Sequence, residues 1–427
     1  MIFSNDVIMS RQEKSAAALE KAGVNVLVFS GEPVGTPGGL DQTYPFLPHP
    51  RHYWLSGFRR SGCVMAYAPG EGWTSFVRPV DEDEILWEGA PEAPKGIPIQ
   101  QLGDWLAAHS GRKTVVTGSV PANCEFEISD DISEIIDDCR RPKDFEELAL
   151  MRLAVEAAAS GFARARSLVE NPETAFAGLT ERRIQIELEA EFLRNGAHGT
   201  GFDTIVAAGT HASVLHFSPG PREVENGEMV MIDAGAQIHE YSCDVTRTIA
   251  AGGKFEPRCR AVYDIVLEAQ KAAIAKAAPG VEWRDVHIAA ATVIADGLKH
   301  IGIFHGTTDA LVETGAVGMF LPHGTGHMLG LRVRDVGGKI KGRENNTYAG
   351  ASIRVDMPLR EGFVMTVEPG IYFVEPLLNH PERRARYDKF LNREELAKWM
   401  NVGGCRIEDD ILINVAGHEV LTDGIPK

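Results

Sequence analysis

The chain lacks any apolar run long enough to cross a membrane, which takes about 18–20 consecutive apolar residues. Its apolar stretches, such as residues 24–29, have the length of a single strand. The first residues also lack the basic segment followed by an apolar segment that marks a secretory signal. We therefore expect a cytoplasmic protein that has no membrane partner.

Cysteines and basic residues are both in short supply. The six cysteines are dispersed, with no Cys-x-x-Cys spacing, which is typical of reduced thiols and argues against a disulfide framework or a zinc ribbon. Lys and Arg number 43 against 60 Asp and Glu, so the net charge is −17. This acidity argues against nucleic acid as a partner. Solvation explains most acidic excesses, and the alternative is that some carboxylates are gathered to hold cations.

What the chain does have is length. Its 427 residues exceed the roughly 250–300 at which a single core stops growing, so two domains are expected. The first 140 residues alternate strand-like and helix-like patterns, and residues 130–143, with a charge cluster and Pro142, predict a linker. The prediction is therefore an N-terminal domain over residues 1–142 and a C-terminal domain over residues 143–427.

The C-terminal part repeats one order of elements. Helical patterns over residues 144–170 and 180–195 are followed by strands, and helical patterns over 257–279 and 283–301 are followed by strands at 363–367 and 405–413. Two helices followed by strands, twice over, predict a duplicated α/β half-domain folded about a pseudo-twofold axis. The fold class expected for the whole chain is α+β.

Carboxylates end several of the apolar strands. Asp233 ends one such strand, and Asp244 opens the next, so a hairpin would bring the two together. Like charges in a buried site repel unless a cation compensates them. Glu368 ends another apolar strand, and strand alternation places Arg406 and Glu408 on one face. Because a glutamate is rarely buried unless it is paired or metal-bound, this pattern favours a metal site.

Two histidines accompany these carboxylates. His323 and His327 stand four residues apart, but Gly324 and Gly326 between them argue against a helix and for an irregular loop lining a cavity. Each group taken alone is explained equally well by a turn or by ordinary packing. Five such groups at strand ends of one domain are hard to explain in that way.

The order Asp, Asp, His, Glu, Glu resembles the pita-bread metallopeptidases, which include methionine aminopeptidase, aminopeptidase P and prolidase. The resemblance covers essentially the whole chain, and residues 368–373, 390–396 and 403–408 are most similar to Xaa-Pro dipeptidases (prolidases) and the related organophosphorus acid anhydrolases. It implies a C-terminal pita-bread catalytic domain, built as a duplicated α/β half-domain, behind a creatinase-like α/β N-terminal domain.

The resemblance also implies the roles of particular residues. Two divalent ions would be held by Asp233, Asp244, His327, Glu368 and Glu408, with Asp244 and Glu408 bridging both. The donor chemistry favours Mn²⁺, with Co²⁺ or Zn²⁺ able to substitute. The implied reaction is hydrolysis of the Xaa-Pro bond in dipeptides by a water shared between the ions, and the implied catalytic residues are Glu368 as proton shuttle, His216, His323 and Arg406. Substrate contacts are expected from Arg354, Arg334, Trp87 and Tyr241.

Arg334 departs from the family pattern, which usually has histidine at that place. A guanidinium stays protonated and cannot carry a proton as histidine does, but it can act as a fixed donor to a carboxylate. Pointing inward, Arg334 would favour acidic or carboxylate-rich substrates. The alternative is that Arg334 swings outward and pairs with an acid on the surface.

Other readings stay open at this point. An aminopeptidase P-type enzyme would act on longer peptides, and a catalytically weak member of the family would serve as a binding or scaffold protein. A metal-independent, creatinase-like relative is less favoured because all five ligands are present. A homodimer is also expected, because the acidic loop 81–87 with Trp87 resembles a region that prolidases place near the partner's cleft. The alternative is a surface loop with Trp87 tucked into its own domain.

Overall fold

The computed structural model describes residues 2–89, 94–171, 178–340, 342–343 and 346–427. The chain forms two compact units, Met1–Arg141 and Pro142–Lys427. The sequence placed the boundary after residue 142. Among the described residues, no helix combines the length and the apolar character that crossing a membrane requires.

The N-terminal unit is built on one six-stranded sheet with strand order β4-β3-β2-β1-β5-β6. The apolar strand β1 lies in its interior, where it pairs antiparallel with β2 and parallel with β5. The strands are β1 Asn25–Phe29, β2 Val64–Ala68, β3 Gly72–Val77, β4 Ile97–Pro98, β5 Thr114–Gly118 and β6 Glu127–Ile128. The helices are α1 Asn5–Leu19, α2 Pro50–Ser56, α3 Glu82–Glu88, α4 Leu102–Ala108 and α5 Asp130–Arg140.

Helix α5 replaces the linker predicted for residues 130–143, so that prediction is wrong. The Ser129 side chain caps the helix by accepting a hydrogen bond from the backbone N–H of Ile132. Ile132, Ile136 and Cys139 are buried at spacings of four and three residues, which is the stripe of an amphipathic helix. The charged residues that suggested a linker occupy much of the remaining surface of the helix.

The C-terminal unit contains more elements, and most of its strands are short. Its helices are α6 Phe145–Glu170, α7 Glu181–Arg194, α8 Pro257–Lys276, α9 Trp283–His300, α10 Thr308–Thr314, α11 Glu375–Leu378, α12 Pro381–Tyr387 and α13 Arg393–Ala397. Its strands in the first part are β7 Gly199–Thr200, β8 Ile205–Ala208, β9 Met229–Ala234, β10 Ala236–Ile238, β11 Tyr241–Ser242 and β12 Val245–Ala250. The later strands are β13 Gly338–Lys339, β14 Thr347–Tyr348, β15 Ala351–Ser352, β16 Val355–Asp356, β17 Val364–Val367, β18 Gly370–Tyr372, β19 Gly404–Arg406, β20 Asp409–Asn414 and β21 Gly417–Val420.

The predicted repetition of two helices followed by strands is present in this unit. In the first half, α6 and α7 accompany a sheet with strand order β12-β9-β8. In the second half, α8 and α9 pack together and accompany a sheet with strand order β17-β20-β21. Each half has its own cluster of buried apolar side chains. The half-domains therefore bury separate cores, and their strand ends carry the candidate site.

Candidate metal centre

Three of the predicted ligands form a tight cluster at the strand ends. Asp244, His327 and Glu408 are buried, and each offers a ligand atom that lies within 4.8 Å of the other two. His327 Nε2 stands 3.4 Å from Asp244 Oδ2 and 3.9 Å from Glu368 Oε1. Asp233 lines the same cavity. The structure thus brings all five predicted ligands to one place, although 175 residues separate the first from the last in the sequence.

The first half supplies its two aspartates through an antiparallel pair of strands. Asp233 lies in β9, and its partner across the sheet in β12 is Thr246, two residues after Asp244. The backbone N–H of Asp244 donates to Asp410 Oδ2 over 3.0 Å. This bond holds the backbone of Asp244 in place beside the site. The antiparallel pairing expected of the two strands is present, but the short strands β10 and β11 lie in the connection between them, and Asp244 directly precedes β12.

The second half meets the first at Glu408. The backbone N–H of Glu408 donates to the carbonyl of Thr246 over 3.0 Å, and the Thr246 hydroxyl donates to Glu408 Oε2 over 2.6 Å. The single strand expected over residues 405–413 is interrupted here, with β19 ending at Arg406 and β20 beginning at Asp409. The interruption turns the backbone of Glu408 towards the first half.

The histidines lie on an irregular loop, as the glycines predicted. The backbone of His327 exchanges two hydrogen bonds with Thr366, and the N–H of Glu368 donates to the carbonyl of Thr325 over 2.8 Å. A Cβ at Gly326 would stand 2.0 Å from the Thr366 carbonyl oxygen, so only glycine allows the loop to run this close to β17. His327 Nδ1 bonds the carbonyl of Met328 over 3.0 Å, which leaves Nε2 directed at the carboxylates.

The carboxylates of the cluster disturb one another's titration. Burial and the neighbouring carboxylates raise the pKa of Asp244 and of Glu408 well above their ordinary values. Burial also raises the pKa of Glu368, but His323, His327 and nearby arginines together hold it below its ordinary value. Burial lowers the pKa of His327, which keeps its imidazole neutral. Neutral imidazole and crowded buried carboxylates are what a divalent cation would stabilise.

The residues present fit a metal. Asp233 Oδ1 is buried and has no hydrogen-bond partner in the described part of the chain, while Arg406 holds Oδ2 of the same carboxylate. An unsatisfied buried carboxylate oxygen is rare in a folded protein and calls for a missing partner. Four carboxylates and one imidazole form a hard, oxygen-rich donor set that suits divalent ions.

An open cavity of about 710 Å³ lies over the cluster. His216, His323, Arg334, Arg354 and Arg406 all line it, as the predicted roles require. His323 Nδ1 is 3.7 Å from Glu368 Oε2, and Arg354 Nη1 is 4.0 Å from Glu368 Oε1. Glu368 therefore has a cationic or polar neighbour on each side.

Two predicted substrate contacts are not among the described residues that line the cavity. Tyr241 is completely buried, and its hydroxyl donates to Glu147 over 2.9 Å, so it packs in the interior and does not line the cavity. Trp87 lies on α3 of the N-terminal unit with 82% of its surface exposed. Trp87 is thus not tucked into its own domain. The placement of Tyr241 corrects the substrate-binding role expected for it.

Sequence reasoning missed the residues that support the ligands. Tyr372 is buried, and its hydroxyl accepts from Arg406 Nη1 over 2.8 Å and bonds His323 Nε2 over 2.9 Å. Asp410 and Thr246 orient Asp244 and Glu408, as described above. One signal was available for Asp410, because two aspartates follow Glu408 in a strand that is otherwise apolar.

Comparisons with known proteins agree with this geometry. The profile of metallopeptidase family M24 matches residues 149–414, and that of the aminopeptidase P N-terminal domain matches residues 8–100. A probable Xaa-Pro aminopeptidase, pepP, of Botryotinia fuckeliana is 32% identical over 403 residues, which is 90% of this chain and 86% of that protein.

Solved structures give the same result. Pseudomonas aeruginosa aminopeptidase PepP matches with a TM-score of 0.81 at 30% identity, over 100% of this chain and 97% of that one. A glutamate-to-alanine variant of Escherichia coli aminopeptidase P, solved in complex with substrate, matches with a TM-score of 0.78 at 26% identity, over 100% and 96%. The α+β class with a pita-bread C-terminal domain is thereby confirmed, and the chain belongs to metallopeptidase family M24 with an aminopeptidase P N-terminal domain.

Proposed function

We propose that this protein is an Xaa-Pro aminopeptidase, which removes the first residue of a peptide that has proline in second place. The observation that carries the proposal is the buried cluster of Asp244, His327 and Glu408 beside Glu368 on the floor of an open cavity. The relatives named as Xaa-Pro aminopeptidases favour this reading over the Xaa-Pro dipeptidase expected from the sequence.

The proposed cofactor is a pair of divalent ions held by the five predicted ligands, with Mn²⁺ preferred and Co²⁺ or Zn²⁺ as alternatives. Bound there, such ions would polarise the scissile carbonyl and lower the pKa of a water molecule. Asp233, whose Oδ1 has no described protein partner, would contribute to one ion. Asp244 and Glu408, whose charges crowd one another, would be shared between both.

In this proposal Glu368 moves the proton. Its carboxylate lies beside His323 and Arg354, which help to lower its pKa and so favour the ionised form. The ionised carboxylate is the form that can accept a proton from the attacking water. The leaving group is the ring nitrogen of proline, which must be protonated before it departs, and Glu368 would deliver that proton.

The surrounding polar residues would hold the substrate. His323 is fixed by Tyr372, which in turn is fixed by Arg406, so the three form one rigid wall of the cavity. His216 is exposed on the cavity wall and is free to approach the peptide. These roles have in common that they orient the peptide without carrying the chemistry themselves.

Peptide length separates the proposed activity from its rival. With Mn²⁺ supplied, we expect Ala-Pro-Ala to give Ala and Pro-Ala faster than Ala-Pro is split, while Ala-Ala-Ala stays intact. Hydrolysis restricted to Ala-Pro would favour the dipeptidase reading, in which an arginine such as Arg354 holds the terminal carboxylate. Glu368→Gln serves as the control and should lose about 10²–10⁴-fold in kcat. Failure of all three peptides with every metal would leave a binding or scaffold role.

We also propose a homodimer, with α3 at or near the contact. Leu86 and Trp87 are neighbours in the sequence and are 74% and 82% exposed, so together they offer an apolar surface that a second chain could cover. Sedimentation across a dilution series tests this, and a fully active monomer would overturn it. The cytoplasmic location stays a prediction from the sequence.

A further inference from the structure

The outer part of the cavity carries a positive charge, although the chain as a whole has a net charge of −17. Apart from the four carboxylates of the metal centre, Asp203 is the one acidic residue among the described residues that line the cavity. Arginines line the same region, and beyond Arg406, which supports the metal centre, they are Arg182, Arg332, Arg334 and Arg354.

Most of these arginines have a polar partner. Arg332 donates to Glu240 Oε2 over 2.7 Å, and Arg182 donates to Gln185 Oε1 over 2.6 Å. Arg354 stands 4.0 Å from Glu368. Arg334 differs from the others, because no carboxylate oxygen of the described residues lies within 4.0 Å of its guanidinium nitrogens, the distance that defines an ion pair. Its charge is therefore available to a ligand.

The backbone around Arg334 is anchored on both sides. The N–H of Arg332 donates to the carbonyl of Glu240 over 3.1 Å, and the N–H of Asp335 donates to the carbonyl of Met328 over 3.0 Å. The nearest acid in the sequence, Asp335, is buried in an ion pair with Lys143 over 3.0 Å. Asp335 is therefore not available as the surface acid with which Arg334 would pair in the alternative interpretation.

Arg334 and Arg354 act on the same space. Both side chains line the cavity that lies over the metal centre. Glu368 at 4.0 Å compensates part of the charge of Arg354, whereas the described residues offer Arg334 no carboxylate partner. An anionic group of a ligand would compensate the remaining positive charge and would accept charge-assisted hydrogen bonds from both arginines.

We propose that Arg334, together with Arg354, forms a subsite for a substrate carboxylate close to the scissile bond. This inference rests on the proposed function and deepens it, because it names acidic peptides as the preferred substrates. Arg334 is the specificity-determining residue, since it stands where histidine is usual in the family and adds a permanent charge. The carboxylate has three possible sources, namely the side chain of the first residue, the side chain of the third residue, or the end of a tripeptide.

Matched peptide pairs distinguish these sources. Glu-Pro-Ala-NH2 is compared with Gln-Pro-Ala-NH2, Ala-Pro-Asp-NH2 with Ala-Pro-Asn-NH2, and Ala-Pro-Ala with its amide, each by kcat/KM on Mn²⁺-loaded protein. We expect at least a tenfold preference for the carboxylate in one pair. In Arg334→Gln that preference should fall below threefold, and Arg334→Lys should retain an intermediate value because it keeps the charge and loses the planar fork.

Arg194→Gln is the control for the loss of one positive charge, because Arg194 is exposed and pairs with Glu191 outside the cavity. It should leave the preference unchanged. Equal hydrolysis of all pairs, or a preference that survives in Arg334→Gln, overturns the subsite but leaves the aminopeptidase proposal intact. If no peptide is cleaved, the aminopeptidase proposal fails, and the same pairs are compared by calorimetric binding. Equal affinity within each pair would then overturn the subsite as well.

Discussion

Asp244 and Glu408 place two neighbouring carboxylates in one buried cluster. Both are buried, both have a raised pKa, and both lie with His327 in one cluster. Carboxylates in such surroundings are either protonated or compensated by a cation. Which of the two applies can be measured by removing one carboxylate at a time.

We expect Asp244→Asn and Glu408→Gln each to lose bound metal and nearly all turnover. The amide keeps the shape of the side chain but removes the negative charge that would hold the ions. Elemental analysis of the purified variants measures bound metal directly. Asp203→Asn is the matched control, since Asp203 lines the cavity outside the cluster and should retain metal. Full metal content and activity in Asp244→Asn would show that the ligand assignment is wrong.

The support for these ligands extends into neighbouring elements. Arg247 of β12 is 1% exposed, and its guanidinium donates to the carbonyls of Glu408 and Ile425 and to Asp409 Oδ1 over 2.5, 2.8 and 2.7 Å. One side chain thus joins a strand of the first half, the backbone of a candidate ligand and the final residues of the described chain. Hydrogen bonds of this kind fix the orientation of metal ligands.

We expect Arg247→Met to lower the free energy of unfolding by about 3 kcal/mol, because it breaks a buried ion pair and removes the hydrogen bonds to the carbonyls of Glu408 and Ile425, while Lys427 stays paired with Asp409. Denaturant titration measures this loss. Arg152→Gln is the control, since Arg152 and Glu419 form a pair in which both side chains are more than 40% exposed, and its loss should cost less than about 1 kcal/mol. Equal effects of the two substitutions would contradict the role given to Arg247.

The elements themselves differ in how well the sequence predicted them. The long helices α6, α8 and α9 were predicted because apolar periodicity and end signals agree over many residues. Helix α5 was missed because its apolar stripe is only three residues long among many charges. The break between β19 and β20 was also missed, since it depends on the hydrogen bond from Glu408 to Thr246, which no local pattern contains.

The residues of the candidate site also differ in how well the sequence predicted them. The candidate ligands could be predicted because Asp233 and Glu368 end apolar strands, Asp244 opens one, and the order of the five residues matches a family. Tyr241 could not be placed, because its partner Glu147 lies 94 residues away and residue type alone does not distinguish a buried hydroxyl from one in a cavity. The position of Arg334 on the cavity wall likewise follows from tertiary structure, which no local sequence pattern contains.

For the whole molecule, buried histidines predict how stability depends on pH. Burial lowers the pKa of His52 to about 3 and that of His287 to about 4. Both are neutral in the folded state, whereas in the unfolded state they take up a proton near pH 6.5. The contribution of the neutral histidines to the free energy of unfolding is complete above pH 6.5. It is lost as the pH falls towards 4 for His287 and towards 3 for His52.

We expect each histidine to lower the free energy of unfolding by about 1.4 kcal/mol for every pH unit below 6.5, until its folded pKa is reached. Denaturant titrations at pH 7 and pH 5 on chelator-treated protein measure this without a contribution from metal. The double variant His52→Gln, His287→Gln should show a flatter dependence than the parent. The same slope in both proteins would contradict the prediction.

The contact between the halves has one more consequence. The candidate ligands Asp233 and Asp244 precede the short connection between β12 and α8, and the other three follow it. Neither half alone has a complete donor set, and Ile425 at the far end of the second half packs in the core of the first. Two fragments made separately and mixed would therefore bind metal tightly only after they reassociate. Metal uptake would then report fragment complementation, and the bound ions would link the two halves of the domain.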